Sequence, residues 1–337
     1  MVGGVGRIQN AEARFDSPYG QTAIRMTGDA PSHLTKEPPK AATEHWAHWG
    51  ANQPDWDWPE GKDVAVTLTF DVDAETGYFS LGDDYLRRLS SLSEGRFSVV
   101  RAVPRILELL RRYELTTTFF VPGWTAENYP HFVDAILSDG HEIGHHGYVH
   151  SRTDQVSADV HREEIERGFR ALESVGADRP RGYRSTSWEL TPEAFRMIDE
   201  YGFIYDSSFF SDDRPYLERH EDVEVLELPS HWSLDDWPYF GYAMDSGGNT
   251  SAASDWRQNW WGEYESARDE GRNVNYVCHP EIIGRGYRAS ELARLLEQIR
   301  EDGRAWIPTM ERLARHVEPK LRGVQPTAPE ASVGQAT

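Results

Sequence analysis

The sequence predicts an α/β protein folded as a (β/α) barrel, distorted and with seven or eight strands. Three observations predict it. Short β-branched or aromatic runs alternate with amphipathic stretches from about residue 62 to 307. The connections between them are short, as in serial βα units. Polar residues with chemistry recur just after the strands, where such a barrel gathers its functional groups at the C-terminal face. A doubly wound open sheet is the main alternative.

In order, residues 64–70 (VAVTLTF) read as a buried strand and 101–113 as an amphipathic helix. Residues 116–121 (TTTFFV) form a second strand, 130–138 a helix and 142–144 a third strand. A long helix is expected over 157–175, with Ser157 as its N-cap, then a short strand at 181–184. Thr191 caps a helix over 191–201 that has Pro192 in its first turn. Strands follow at 203–205, 224–228 and 274–278, helices at 255–270 and 290–302, and a last strand at 305–307.

Residues 1–40 carry Pro31, Pro38 and Pro39 with no periodicity and read as a flexible segment, within which Met26 offers a second start. The folded unit spans 41–316. It includes an arm bearing Trp46, Trp49, Trp56 and Trp58, expected to pack on the domain or on a neighbouring subunit. The Pro/Ala/Gly-rich end, 317–337, is expected to be a disordered tail.

The net charge of −21 argues against a nucleic-acid or anionic-membrane partner. Only four of the 35 basic residues are lysines, Lys36, Lys40, Lys62 and Lys320, a balance suited to solubility in high salt or to an Arg-favouring genome. No stretch approaches the roughly 20 apolar residues of a membrane span. The N-terminus lacks the apolar run of a secretion signal, and Cys278 is the single cysteine, so a cytoplasmic protein is expected.

The chain is organised around residues 141–150, HEIGHHGYVH, which hold four of its 13 histidines. His146 and His150 stand four apart with Gly147 between them, so a sharp turn can bring both imidazoles to one ion. Asp71 and Asp73 follow the first strand on one face, close enough to repel unless a cation takes one and an arginine the other. Arg184, Asp206 and His279 each end a later strand. One Asp and two His leave positions open for water and a substrate oxygen, the arrangement of a metal-dependent hydrolase. A free carboxylate serves as base, an imidazole opposite protonates the leaving nitrogen, and Arg184 keeps the base ionised. No G-x-S-x-G is present, and Cys278 lies in an apolar strand, so no covalent nucleophile is expected.

With these motifs, residues 62–315 resemble the polysaccharide deacetylases, the NodB-homology or carbohydrate esterase 4 family. TFDVD (69–73) is similar to the family's T-F-D-D with one residue inserted, and HGYVH (146–150) to its H-[S/T]-x-x-H with Gly in place of Ser or Thr. Arg184 matches the third motif's arginine without the Pro-Pro-Tyr that usually follows. The resemblance implies Asp71 as base, Asp73, His146 and His150 as metal ligands, and His279 as acid. Asp206 is expected to orient His279, with Asp235 and Asp236 of WSLDDW as alternatives. The cofactor implied is one divalent ion, zinc first, with cobalt, nickel or manganese open.

FDVDAE, YDSS, ELPSHWSLDDW and HPEIIGR look like an intracellular branch of the family, which includes a peptidoglycan-deacetylase-like protein and enzymes that open cyclic imides or allantoin. Members of that branch are oligomers, so a homo-oligomer, dimer or tetramer, is expected. The allantoin-opening relatives have lost the metal histidines that this chain keeps. The insertion 76–100 is long enough to cover a barrel mouth, which favours a small cyclic amide over an N-acetylated glycan chain. Trp188, Trp232, Asp236 and Arg285 are the candidate substrate contacts, the tryptophans by stacking and Arg285 by clamping a carboxylate or carbonyl. A rim ion pair is the competing reading of Arg285. A non-catalytic metal- or carbohydrate-binding barrel is the competing reading of the whole chain.

Overall fold

The computed structural model describes residues 54–323 except positions 244, 246 and 249. Expectations for Met26, Trp46, Trp49, the 1–40 segment and the last residues therefore lie outside the described residues.

Every residue of β1 (Val64–Asp71) is buried, because its two faces meet different partners. Val64, Val66, Leu68 and Phe70 join the apolar layer under the helices. By strand alternation Thr67, Thr69 and Asp71 face the barrel interior. The chain next forms α1 (Thr76–Phe79) and α2 (Leu89–Phe97), then a π-helical turn over Ser98–Ala102 that runs on into α3 (Val103–Tyr113). β2 (Thr118–Val121), α4 (Gly123–Asn128), α5 (Pro130–Ser138) and β3 (Glu142–His145) follow. α6 (Ala158–Ser174) starts at Ser157, whose side chain accepts from the Val160 N–H. β4 (Gly182–Tyr183) leads to α7 (Pro192–Glu200), where Thr191 accepts from the Ala194 N–H.

β5 (Tyr205–Asp206) is followed by an antiparallel hairpin of β6 (Tyr216–His220) and β7 (Val223–Glu227). The single turn α8 (Trp237–Phe240) precedes the paired β8 (Tyr242–Ala243) and β9 (Gly247–Gly248). α9 (Ala253–Glu270), β10 (Asn273–Cys278), α10 (Pro280–Ile283), α11 (Gly286–Asp302), β11 (Ala305–Trp306) and α12 (Met310–Gly323) complete the fold.

The strands form one curled sheet in the order β10-β1-β2-β3-β4-β5-β7-β6, parallel throughout except at β6. This is the distorted (β/α) barrel. Two features distort it. β11 pairs with the start of β1 at Val64 and Ala65, whereas β2 pairs with its end at Thr69 to Asp71. The ring also fails to close. No ladder joins β10 to the hairpin among the described residues, and the chain after β7 bridges the upper seam through Asp235 and Val277.

Two expectations need correction. β6 was not predicted: in YLERH only Leu217 and Glu218 are buried, so an edge strand with one solvated face shows little apolar signal. The tail does not begin at residue 317. α12 runs to Gly323, and Leu313, Ala314 and Val317 form a stripe buried against Trp56, Trp58 and Trp306. The described part of the tryptophan arm thus packs on its own domain, with Trp58 stacked on Trp306 at 6.1 Å between ring centroids.

Candidate metal centre and active site

Asp71 is the last residue of β1, and Asp73 follows it on the same side of the chain. The histidine loop comes after β3. Its turn depends on Gly147 at φ +70°, a backbone that disfavours any side chain. Buried Glu164 of α6 fastens this loop by accepting from the N–H groups of Tyr148 and Val149 at 2.8 and 3.0 Å. Within the decapeptide the four histidines divide their work. His141 Nδ1 accepts from the Thr117 N–H and His145 Nδ1 from the Gly147 N–H, so both are braces. Burial drives their pKa values down to about 4 and about 3, respectively. His146 and His150 instead turn to Asp73.

His146 Nε2 lies 3.4 Å from Asp73 Oδ1, and His150 Nε2 lies 3.5 Å from Asp73 Oδ2. His146 Nδ1 lies 2.8 Å from the Arg184 carbonyl, an oxygen that can only accept. Nδ1 therefore carries the proton, and Nε2 presents a lone pair to Asp73. Burial lowers the pKa of both histidines, to about 4 for His150, and raises that of Asp73. Asp73 Oδ1 is buried with no hydrogen-bond partner. Two neutral imidazoles around a bare buried carboxylate oxygen form a donor set that a divalent cation completes, and the three ligand atoms lie within 4.8 Å of one another. His150 holds φ at +63°, a strained backbone that aims its ring into the cluster.

Asp71 faces the other way. Its Oδ1 accepts from Arg184 Nη1 at 2.6 Å, while Oδ2 stands 3.9 Å from His146 Nε2. Burial pushes the Asp71 carboxyl up, but the positive charges beside it, the Arg184 guanidinium first and then protonated His279, outweigh that and hold the pKa below the ordinary value. Arg184 is wholly buried. It also donates to Thr69 Oγ1 and Ser207 Oγ and lies 4.1 Å over the Phe120 ring.

His279, after β10, completes the ring of groups with Nε2 3.9 Å from Asp73 Oδ2. Its Nδ1 is 2.8 Å from Asp236 Oδ1 and 3.4 Å from Asp235 Oδ1, and its N–H donates to Asp236. Burial lowers the His279 pKa, yet the two carboxylates raise it well above the usual histidine value. Trp237 packs edge-on to the ring at 5.5 Å.

Three of the predicted roles change. Asp206 does not orient His279: it bonds to Ser208 and, across the sheet, to Glu227. Asp236 meets His279 instead: it accepts from the His279 backbone N–H and lies 2.8 Å from its Nδ1, so both of its oxygens are engaged by His279 rather than turned to a substrate. Arg285 is engaged by Glu94 at 2.7 Å and stacks on Phe97, which makes it a rim ion pair with the insertion helix α2. Trp188 and Trp232 do stack, 4.5 Å apart and joined by Phe210, and this wall passes beside Arg184. Trp232 and Phe210 remain 41% and 42% exposed, open to a flat ligand. Sequence reasoning missed Glu164, and it missed Glu281, a buried carboxyl whose Oε2 has no partner and whose protonated form is favoured by burial and by Asp73. The insertion reaches the centre, since a Cβ at Gly77 in α1 would stand 3.2 Å from that of Asp73.

Fold and site define a curled (β/α) barrel with a buried Asp-His-His set between an arginine-paired aspartate and a carboxylate-braced histidine. The polysaccharide deacetylase family model matches residues 60–205. A Mycobacterium smegmatis protein assigned as a polysaccharide deacetylase superposes with a TM-score of 0.75 at 34% identity, over 81% of this chain and 96% of that one. The Helicobacter pylori peptidoglycan deacetylase is 24% identical over 280 residues, 73% of this chain and 94% of the relative. The PuuE allantoinase shares the fold, with a TM-score of 0.72 at 21% identity, over 87% of this chain and all of that one. The chain belongs to the polysaccharide deacetylase family.

Proposed function

We propose that the protein is a metal-dependent hydrolase of non-peptide carbon–nitrogen bonds, acting on an N-acetyl group or a small cyclic imide. The observation that carries this reading is the placement of Asp71 and His279 about the Asp73–His146–His150 set, all buried. When bound there, a divalent cation polarises the acyl oxygen and acidifies the water beside it. Asp71, kept ionised by Arg184, takes a proton from the attacking water through its free Oδ2. His279, held protonated by Asp235 and Asp236, delivers a proton to the nitrogen as the acyl–nitrogen bond breaks. The Trp188–Trp232 wall supports a sugar or an imide ring by stacking. The peptidoglycan deacetylase name of the Helicobacter pylori relative favours an N-acetyl substrate, whereas the insertion pressed against Asp73 favours a compact one.

The test is an assay of the full chain, loaded with zinc, cobalt, nickel or manganese, on N-acetylglucosamine oligomers, succinimide and hydantoin. Acetate release or ring opening is expected in the wild type. Asp71→Asn should keep the metal and lose roughly 10²–10⁴-fold in kcat. A metal-loaded protein inert on all three substrates would favour the non-catalytic barrel.

A further inference from the structure

The two imidazoles of the Asp73–His146–His150 set are held in different ways. His146 is fixed through its ring, because Nδ1 lies 2.8 Å from the Arg184 carbonyl. His150 has no such brace: its Nδ1 is buried and without a hydrogen-bond partner. A histidine that ligates a metal almost always has its second ring nitrogen bonded, which orients the ring. The direction of the His150 ring is therefore left to its backbone. That backbone is strained, with φ at +63°, and a strained residue persists only where its surroundings over-determine it.

The surroundings converge on one side chain. Glu164 of α6, only 6% exposed, accepts from the Val149 N–H at 3.0 Å and from the Ser151 hydroxyl at 3.2 Å. It thus grips the residues on either side of His150. Its third bond, from the Tyr148 N–H at 2.8 Å, goes to the same turn. No ion pair engages Glu164 among the described residues, so this turn is its sole partner. Other groups hold the carbonyls. Gly147 and Tyr148 accept from the Gly123 and Trp124 N–H groups of α4 at 3.0 and 2.9 Å, and Ser151 accepts from the Thr186 hydroxyl at 2.7 Å. Among the described residues, only Glu164 bonds both flanks of His150.

We propose that Glu164 is a positioning residue for His150, and that its grip on Val149 and Ser151 sets the affinity of the Asp73–His146–His150 set for a divalent cation. The inference rests on the metal reading of that set. It goes further by placing a determinant of affinity on a helix that contributes no ligand. Without the grip the strained turn relaxes, and His150 Nε2 withdraws from Asp73 Oδ2, now 3.5 Å away.

The experiment is titration of the metal-stripped full chain with zinc chloride and with cobalt chloride, in competition with a chelating dye. Glu164→Leu should bind both ions roughly 10–100-fold more weakly than the wild type, the usual effect of losing a partner that orients a ligand. Its cobalt absorption bands, which report ligand geometry, should change as well. Glu164→Gln keeps a carbonyl oxygen for the two N–H groups and turns its amide towards Ser151, whose oxygen can accept. Its affinity should stay within several-fold of the wild type. Circular dichroism selects conditions in which every metal-free chain is folded, which separates position from stability. Should Glu164→Leu fail to fold, Ser151→Ala decides, with several-fold weaker binding expected because one flank of His150 is freed. Wild-type affinity in the variant that decides overturns the proposal. So does a Gln variant as weak as the Leu variant, which would make charge rather than position the cause. A wild type that binds neither ion overturns the metal reading itself, and this inference falls with it.

Discussion

His279 is buried between Asp235 and Asp236, and burial alone would drive off the proton that its proposed role requires. The two carboxylates reverse that outcome and hold the imidazole charged above the usual histidine range. Asp236→Asn removes one of them, so the His279 pKa should fall. The alkaline limb of the pH–rate profile should then move to lower pH, with kcat down at least roughly tenfold and KM little changed. An unshifted limb would mean that His279 is not the acid. Asp71, Asp73, His146, His150, Arg184 and His279 were legible in the sequence because each follows a strand, which alone puts them on one face. The partners were harder to read. Whether Asp206 or Asp236 meets His279 depends on how the chain after β7 crosses the seam, and no local pattern encodes that path. For Arg285 the choice between clamp and rim ion pair was open for a similar reason, because Glu94 lies in the insertion some 190 residues earlier.

Among the elements, the β5–β7 pairing sets Asp206 beside Glu227 in register, both wholly buried. Burial raises the Asp206 pKa to about 6, and burial together with the Asp206 charge raises Glu227 well above its usual value. A folded-state pKa above the unfolded one contributes stability fully present below about pH 4 and lost as pH rises through about 6. Asp206→Asn ends that loss while keeping an acceptor for Ser208. Its stability relative to the wild type should therefore improve from pH 4 to pH 7, by on the order of 2–3 kcal/mol at two pKa units. Urea unfolding at several pH values measures this, and parallel curves would disprove the raised Asp206 pKa. Helix boundaries read well where a cap was present, as at Ser157 and Thr191, because the cap is a local interaction. β6 and the whole of α12 were not read, since one is half solvated and the other owes its order to Trp56, Trp58 and Trp306.

For the molecule as a whole, a cation held by Asp73, His146 and His150 would also stabilise the fold. A ligand at 1,000 times its Kd adds about 4 kcal/mol to the folded state. Chelation should therefore lower Tm by roughly 5 °C or more, and Asp73→Asn should abolish the response. Calorimetry with and without chelator checks this, and an unchanged wild-type Tm would deny the site. The barrel class was legible from the alternation of strands and helices, but not the open seam, which arises from pairings between distant segments. That same wiring bears on how the protein is made. The longest ladder of β1 is with β10, where Thr69 pairs with Val277 and its hydroxyl donates to the Tyr276 carbonyl 207 positions away, and β11 reaches β1 later still. While the nascent chain leaves the ribosome, one edge of the first strand therefore waits, unpaired and apolar, for most of synthesis. A cell making this protein must shield that edge until the last quarter of the chain emerges.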